Sequence, residues 1–160
     1  MRKLIGLTIF VGLVLFSVAA QADDKAQVFG GYQFTHPDGG PNMSGFNGAL
    51  TVNFKSHFGV TGDFSGTYGS GIHLYTYTFG PEVHAKISAI KPFAHVLIGG
   101  GRFSGNGSEN GLVVLAGGGV DVGRRNFAWR VGQFDWMLTH FNGFTDKKNV
   151  RVSSGIVIRF

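Results

Sequence analysis

Residues 149–160 read NVRVSSGIVIRF, and the architecture of the whole chain can be worked out from this closing segment. Its apolar side chains occupy alternate positions: Val150, Val152, Ile156, Ile158 and Phe160. The row between them is polar except for Val157: Arg151, Ser153, Gly155 and Arg159. Because successive side chains of a strand point to opposite faces, the segment predicts a β-strand with one apolar face and one polar face.

The first 22 residues have the composition of an export signal. Arg2 and Lys3 precede a nearly unbroken apolar run, and Ala20-Gln21-Ala22 forms a small-x-small cleavage site. A transmembrane anchor is the alternative, but the run is short for one. We therefore predict a signal peptide at 1–22, cleaved after Ala22, and a single domain at 23–160. Removing the two signal charges leaves 14 − 2 = 12 basic against 9 acidic residues, so the remaining charge is +3.

The composition favours strands and argues against several classes of function. The chain has 27 Gly and 16 Phe but only 4 Pro, and no segment shows a sustained helical apolar stripe. It has no cysteine, so a disulfide cannot hold the exported domain together. A basic patch with interleaved aromatic residues is missing, and nucleic acid is therefore not an expected partner.

Eight strand-like segments fill the rest of the chain, separated by turn residues. The segments are Ala26–His36, Ser44–Lys55, Phe58–Thr67, Ile72–Lys86, Lys91–Ser104, Gly111–Val122, Phe127–His140 and Asn149–Phe160. Most have one apolar and one polar row, whereas in Ile72–Lys86 both rows hold apolar residues and the faces stay unassigned. The pattern predicts an all-β, antiparallel, up-and-down arrangement of eight strands.

The seventh segment changes the parity of its apolar row part-way along, between Val131 and Phe134. A β-bulge near Gly132-Gln133 would bring both halves of the row onto one face. The polar side chains would then share the other face, where buried unlike charges should be paired. We therefore expect a polar network inside an enclosed lumen, made by Asp63, Arg130, Gln133, Asp135 and Arg151. The alternative is that water solvates these charges one by one.

Two kinds of barrel accommodate eight such strands. A soluble lipocalin-like barrel turns its apolar rows inward, whereas an outer-membrane barrel turns them outward into lipid. The polar rows here are poor in Lys and Glu, which a water-facing exterior would attract. Aromatic residues also cluster toward strand ends, as a membrane-interface girdle requires: Phe34, Phe54, Phe58, Tyr68, Phe79, Phe93, Phe103, Phe127 and Phe141. We predict a closed transmembrane β-barrel, because hydrocarbon tolerates no free strand edge.

With these features the sequence resembles the small eight-stranded outer-membrane β-barrel proteins, the group that includes the transmembrane domain of outer membrane protein A and the opacity-type porin family. The resemblance covers residues 1–160, including TYTFGPEV at 76–83 and KPFAHVLIGGG at 91–101. It implies a location in the outer membrane of a Gram-negative bacterium. In that family the barrel-assembly machinery reads the last strand as a signal. The matching positions here are Val152, Ile156, Ile158 and Phe160, with Ser154 as a weak member of the row.

An eight-stranded barrel has an interior just wide enough for side chains to fill it. We therefore expect a non-catalytic structural or interaction protein with a filled lumen, present as a monomer in outer-membrane lipid, and not an open diffusion pore. No catalytic residue, metal site or cofactor is expected, since no histidine pair has metal-ligand spacing. The outer loops are short and no peptidoglycan-binding domain is seen, so neither adhesion nor wall anchoring is implied.

Two other functions stay open. A lipid A-modifying enzyme would need a serine, a histidine and a carboxylate together at the outer rim. Residues of these types lie near the presumed outer ends: His36, Ser70, His73, Ser104, Ser108, Glu109 and His140. A soluble lipocalin-like barrel that binds a ligand is the second alternative.

Overall fold

The structure, a computed structural model, describes residues 25–37, 41–69, 71–105, 107–124, 126–141 and 144–160, without the side chains of 141, 144 and 146–148. The predicted signal peptide at 1–22 lies outside the described residues. Eight strands follow one another: β1 (Ala26–His36), β2 (Met43–Lys55), β3 (Phe58–Gly69), β4 (Ile72–His84), β5 (Ile90–Ser104), β6 (Ser108–Arg124), β7 (Phe127–Phe141) and β8 (Phe144–Arg159). No helix in these ranges is long and apolar enough to cross a membrane.

The strands close into a barrel. Each strand pairs antiparallel with the next, and β8 pairs with β1. At the closure the backbone N–H of Phe160 donates to the Ala26 carbonyl at 2.8 Å, and the Ala26 N–H donates back at 3.3 Å. We call the end of the barrel that holds Ala26 and Phe160 the terminal end, and the opposite end the loop end. The predicted eight-stranded antiparallel up-and-down barrel is confirmed.

Several strands extend further than predicted, mainly toward the loop end. β6 begins at Ser108 instead of Gly111, and β8 begins at Phe144 instead of Asn149. The added residues, SEN at 108–110 and FTDKK at 144–148, are largely polar. A strand that projects beyond the hydrocarbon needs no apolar row, so the alternating pattern ends there while backbone pairing continues.

β7 contains the predicted bulge, placed one residue earlier than expected. Arg130 pairs with one neighbour of Ser154 on β8 and Gln133 with the other, so Val131 and Gly132 together face this serine. The Ser154 hydroxyl donates to the Arg130 carbonyl at 2.9 Å and accepts from Trp129 Nε1 at 3.2 Å. It thereby satisfies a carbonyl at the bulge and an indole N–H on an apolar face. This pairing explains why a polar residue interrupts the outer row of β8.

Apolar side chains cover the outside of the barrel. Among the side chains that the structure describes, twenty-eight large apolar residues are exposed against eleven buried apolar residues, the reverse of a water-soluble protein. On β8, Ile156 and Ile158 are 49% and 43% exposed, whereas Arg151 and Ser153 are each 1% exposed. The apolar rows therefore point outward, as a transmembrane barrel requires, and the lipocalin-like alternative is wrong because its apolar rows would point inward.

The interior also contains an apolar cluster, which the sequence analysis did not predict beside the polar network. Toward the loop end, buried apolar side chains from β2, β4, β5, β6 and β7 form one cluster: Met43, Leu74, Leu97, Val113, Leu115 and Met137. Phe103 packs against this cluster and Phe93 is buried deeper, so neither belongs to the predicted interface girdle. Both face inward because they share the face of β5 that includes the buried Lys91 and Leu97. An apolar plug thus occupies part of the loop half of the lumen, beside buried polar pairs such as Gln33 with Thr67.

Candidate functional site

Arg151 of β8 holds two carboxylates inside the barrel. Its Nη1 and Nη2 donate to Asp63 Oδ1 and Oδ2 at 2.8 and 3.0 Å. Its Nε donates to Asp135 Oδ2 at 2.8 Å, and its Nη2 lies 2.7 Å from the same oxygen. Because β1 and β2 separate β8 from β3 in the wall, the contact with Asp63 crosses the lumen. The guanidinium presents its donors in a planar fork, which suits two carboxylates at once.

β7 continues the network toward the terminal end. Arg130 Nε donates to Asp121 Oδ1 at 2.8 Å, and Arg130 Nη1 donates to Gln133 Oε1 at 2.6 Å. Gln133 Nε2 in turn donates to Asp135 Oδ2 at 2.7 Å. The bulge at Val131-Gly132 puts Arg130 on the same face as the other two polar residues of β7. The structure therefore places all five of the lumen residues proposed from the sequence in one connected set.

Two aromatic rings enclose the Arg130 guanidinium. The guanidinium carbon lies 4.3 Å from the ring centroid of Phe29 and 4.1 Å from that of Phe93. Stacking on both faces stabilises the cation while its edge donates hydrogen bonds. Sequence reasoning missed both rings. Phe29 lies an even number of residues from Gln27 and Gln33 on β1, so the three side chains share one face. This spacing was the available signal for its inward position.

Three polar partners of the network were also missed. His95 Nε2 lies 2.8 Å from Asp135 Oδ1, and Asn47 Nδ2 donates to Asp63 Oδ2 at 2.8 Å. The third, Asp121, is the direct cross-strand partner of Arg130. The alternation along each strand predicts that such residues face inward, but only the register of neighbouring strands shows which of them are in contact.

A second polar layer lies nearer the terminal end. Glu82 accepts hydrogen bonds from Thr61 at 2.7 Å and from Thr51 at 3.3 Å. Gln27 Nε2 donates to the other oxygen of Glu82 at 3.4 Å, and Lys91 Nζ donates to Gln27 Oε1 at 2.9 Å. The amide of Gln27 thus bridges a buried anion and a buried cation.

The buried ionic groups of the described lumen balance. Four are cations and four are anions: Lys91, Arg130, Arg151 and Arg159, with Asp63, Glu82, Asp121 and Asp135. Four positive minus four negative formal charges leave none when Lys, Arg, Asp and Glu are counted. An unpaired charge in such an interior costs several kcal/mol by order of magnitude, so each ion needs its partner. The network therefore holds charges from six strands, β3 to β8, in a fixed arrangement.

Two glycines of β6 leave room for the network. A Cβ added to Gly117 would lie 2.7 Å from Asp135 Cα, and one added to Gly119 would lie 2.9 Å from Phe93 Cζ. Both distances are too short for a real Cβ atom, so a larger residue would displace the wall or the ring. Gly117 and Gly119 therefore serve packing inside the barrel.

Among the described residues considered for a rim enzyme, no hydrogen bond joins a serine to a histidine. Ser70 lies outside the described residues. The loop-end histidines have contacts with an amide, a threonine hydroxyl and a tyrosine ring: His36 with Asn42, His140 with Thr145 and His73 with Tyr68. Within the described ranges no three potential metal ligands lie together. The geometry thus gives the enzyme alternative no support.

The four residues proposed as an assembly signal lie at the outer face and the end of β8. Val152, Ile156 and Ile158 point outward and are 44%, 49% and 43% exposed. Phe160 follows the last residue of β8 and completes the seam with β1 through its backbone. Their role in assembly stays a prediction.

No protein-family model and no curated protein sequence matches the chain, but solved structures match its fold. The attachment invasion locus protein Ail of Yersinia pestis is 19% identical, over 84% of this chain and 97% of Ail, with a TM-score of 0.54. Neisserial surface protein A is 15% identical, over 84% of this chain and 96% of its own, with a TM-score of 0.58. The N-terminal β-barrel domain of Pseudomonas aeruginosa OprF is 10% identical, over 85% and 98%, with a TM-score of 0.61. At these identities the likeness shows the fold, that of small outer-membrane barrels.

Replacing Arg151 should destabilise the barrel strongly. Arg151→Met leaves Asp63 and Asp135 without their shared cation inside the lumen. We expect the free energy of unfolding to fall by about 3–5 kcal/mol, as for other buried pairs that lose one partner. Denaturant titration of the barrel in lipid vesicles measures the change.

Arg102→Met is the matched control, because Arg102 is an exposed arginine at the loop end. Its effect should stay within about 0.5 kcal/mol, the range for surface substitutions. Adding Asp63→Asn and Asp135→Asn to Arg151→Met removes the orphaned charges and should recover much of the loss. A single Arg151→Met variant as stable as the parent would show that the network does not hold the barrel together.

Proposed function

We propose that this chain is a non-catalytic structural protein of the bacterial outer membrane, a monomeric barrel whose lumen is closed by its own side chains. The observation that carries the proposal is the bridge from Arg151 across the lumen to Asp63. The Glu82 layer lies on the terminal side of this bridge, and the apolar plug lies on its loop side. A lumen filled in this way favours a rigid wall element over a diffusion channel.

The outer surface supports a place in the outer membrane. Its apolar rows suit contact with acyl chains, and the structures that share its fold include outer-membrane barrels. The export signal at 1–22 belongs to the same proposal, since a barrel of this kind must first leave the cytoplasm. In this proposal the terminal end faces the periplasm and the loop end faces outward.

An aromatic cluster at the loop end supports anchoring at the outer membrane–water interface. The hydroxyls of Tyr68 and Tyr75 lie 3.0 Å apart, and the Tyr68 ring packs edge-on against His73. Amphipathic rings of this kind favour the headgroup level. The links beside the cluster are short, since only two residues join β3 to β4. Any partner would therefore meet the rim of the barrel and not long loops.

Conductance and lipid analysis test the proposal together. The purified full barrel in planar bilayers should give no stepwise current, because its lumen is filled and its charges are paired. Lipid A from cells with and without the gene should have the same mass spectrum. Regular stepwise currents would contradict a closed lumen, and a mass shift of one acyl chain would favour the enzyme alternative.

We further propose that Val152, Ile156, Ile158 and Phe160 form the signal read by the barrel-assembly machinery. The variant Phe160→Ala keeps the backbone bonds to Ala26 but removes the ring. It should be exported normally yet give much less heat-modifiable barrel in outer-membrane fractions. Refolding into detergent without the machinery should proceed as in the parent, which separates recognition from stability.

Phe58→Ala is the matched control for Phe160→Ala, because Phe58 is another exposed aromatic residue at the terminal end. It should assemble like the parent. Normal assembly of Phe160→Ala, or an equal defect in both variants, would remove the support for a specific signal in the last strand.

A further inference from the structure

The terminal end of the barrel holds a cavity of about 540 Å³. It is bounded by the start of β1, the turn from β2 to β3 and the link from β4 to β5. Backbone hydrogen bonds fix this rim: Asn53 N–H donates to the Lys25 carbonyl at 2.8 Å, and His84 N–H donates to the His57 carbonyl at 2.9 Å. The volume lies in the range of pockets that hold small molecules.

The charge of this cavity differs from that of the lumen. Among the residues that the structure describes, its lining includes four lysines and no carboxylate: Lys25, Lys55, Lys86 and Lys91. His57 and His84 add ring nitrogens. Lys91 belongs to the balanced buried set, so Lys25, Lys55 and Lys86 are the lysines that the described rim adds around one concave space. Such a concave cationic site concentrates anions.

The floor of the cavity is buried and offers an unused polar group. Lys91 is 3% exposed and His84 is 8% exposed. His84 Nδ1 has no hydrogen-bond partner among the described residues, and Glu82 Oε1 lies 3.7 Å from it. A buried polar atom without a hydrogen bond is costly, unless a ligand or water completes it. The floor therefore leaves one polar atom that a ligand or water can complete.

We propose that this cavity, here called the cationic mouth, binds a compact polyphosphate-type anion. Lysine ammonium groups are compact point charges that suit phosphate oxygens, and four of them around one space call for a ligand with several negative charges. The rim lysines attract and hold the ligand above the floor at His84. The phosphates come either from a soluble anion or from the headgroup of a neighbouring lipid. The site is independent of the closed-lumen proposal.

Binding of tripolyphosphate tests the cationic mouth. The full protein, purified from outer membranes and placed in nanodiscs of phosphatidylcholine alone, is titrated with tripolyphosphate by calorimetry. We expect one saturable site per barrel, with an affinity that falls as salt rises. The double variant Lys55→Gln with Lys86→Gln should bind about ten-fold more weakly, the effect of two lost solvent-exposed charge pairs.

The control variant removes the same charge elsewhere. Arg102→Gln with Arg124→Gln takes two exposed cations from outside the cavity lining, and its affinity should stay within about two-fold of the parent, since the ligand contacts neither residue. Equal weakening in both double variants, or no saturable binding by the parent, would overturn the proposal.

A second arm identifies the source of the phosphate. The titration is repeated in nanodiscs that also contain phosphatidylglycerol. Competition with tripolyphosphate in the parent but not in the Lys55→Gln, Lys86→Gln variant supports the site and assigns it to a lipid headgroup. Unchanged affinity for tripolyphosphate in both kinds of disc supports the site and assigns it to a soluble anion.

Discussion

Hydrocarbon neither donates nor accepts hydrogen bonds, and both faces of this barrel follow from that constraint. Every strand edge is paired because a free edge in lipid would leave backbone groups unsatisfied. The apolar rows point outward, so the polar rows must satisfy one another inside a narrow cylinder. Arg151 meets this demand by joining Asp63 and Asp135, and Ser154 meets it on the outer face by satisfying a carbonyl at the bulge. The same rule thus explains the closed sheet, the ion network and the single serine in an apolar row.

The interior is organised in three parts along the barrel axis. An apolar cluster around Leu97 and Leu115 lies in the loop half beside buried polar pairs, and an ion network around Arg151 occupies the middle. The terminal mouth has the exposed Lys55 and Lys86 on its rim. Under the two proposals, the first two parts close the lumen and the third offers room and charge for a ligand. Such a barrel would be inert along its length and still have a binding surface at one end.

The alternation of apolar and polar residues along the sequence predicted much of the fold. Alternation in 149–160 is enough to identify an outward row, and the parity change between Val131 and Phe134 is enough to locate a bulge to within one residue. What local pattern cannot give is contact across the lumen. Residues such as Asp121 and His95 find their partners through strand register, which depends on turns and closure and not on the residues themselves.

The remaining errors have the same physical origin. The strand at 72–84 has apolar residues on both faces because Leu74 joins the interior plug while its neighbours Tyr75 and Tyr77 face outward. Phe93 was assigned to the girdle because an aromatic residue near a strand end fits lipid, yet here it stacks on Arg130. The early start of β8 was missed because strand pairing beyond the membrane needs no apolar row. Each error concerns a residue whose surroundings are determined by the folded barrel and not by its neighbours in the sequence.

The most direct test of the account uses the two tryptophans of the chain. Trp129 and Trp136 are 54% and 51% exposed on the outer face of β7. In vesicles with brominated acyl chains, the account predicts strong quenching of the fluorescence of both residues and little quenching by acrylamide in the aqueous phase. Substituting either tryptophan by phenylalanine allows the other to be measured alone. Strong quenching by acrylamide with none by brominated lipid would show that water surrounds the apolar face, and the account would be wrong.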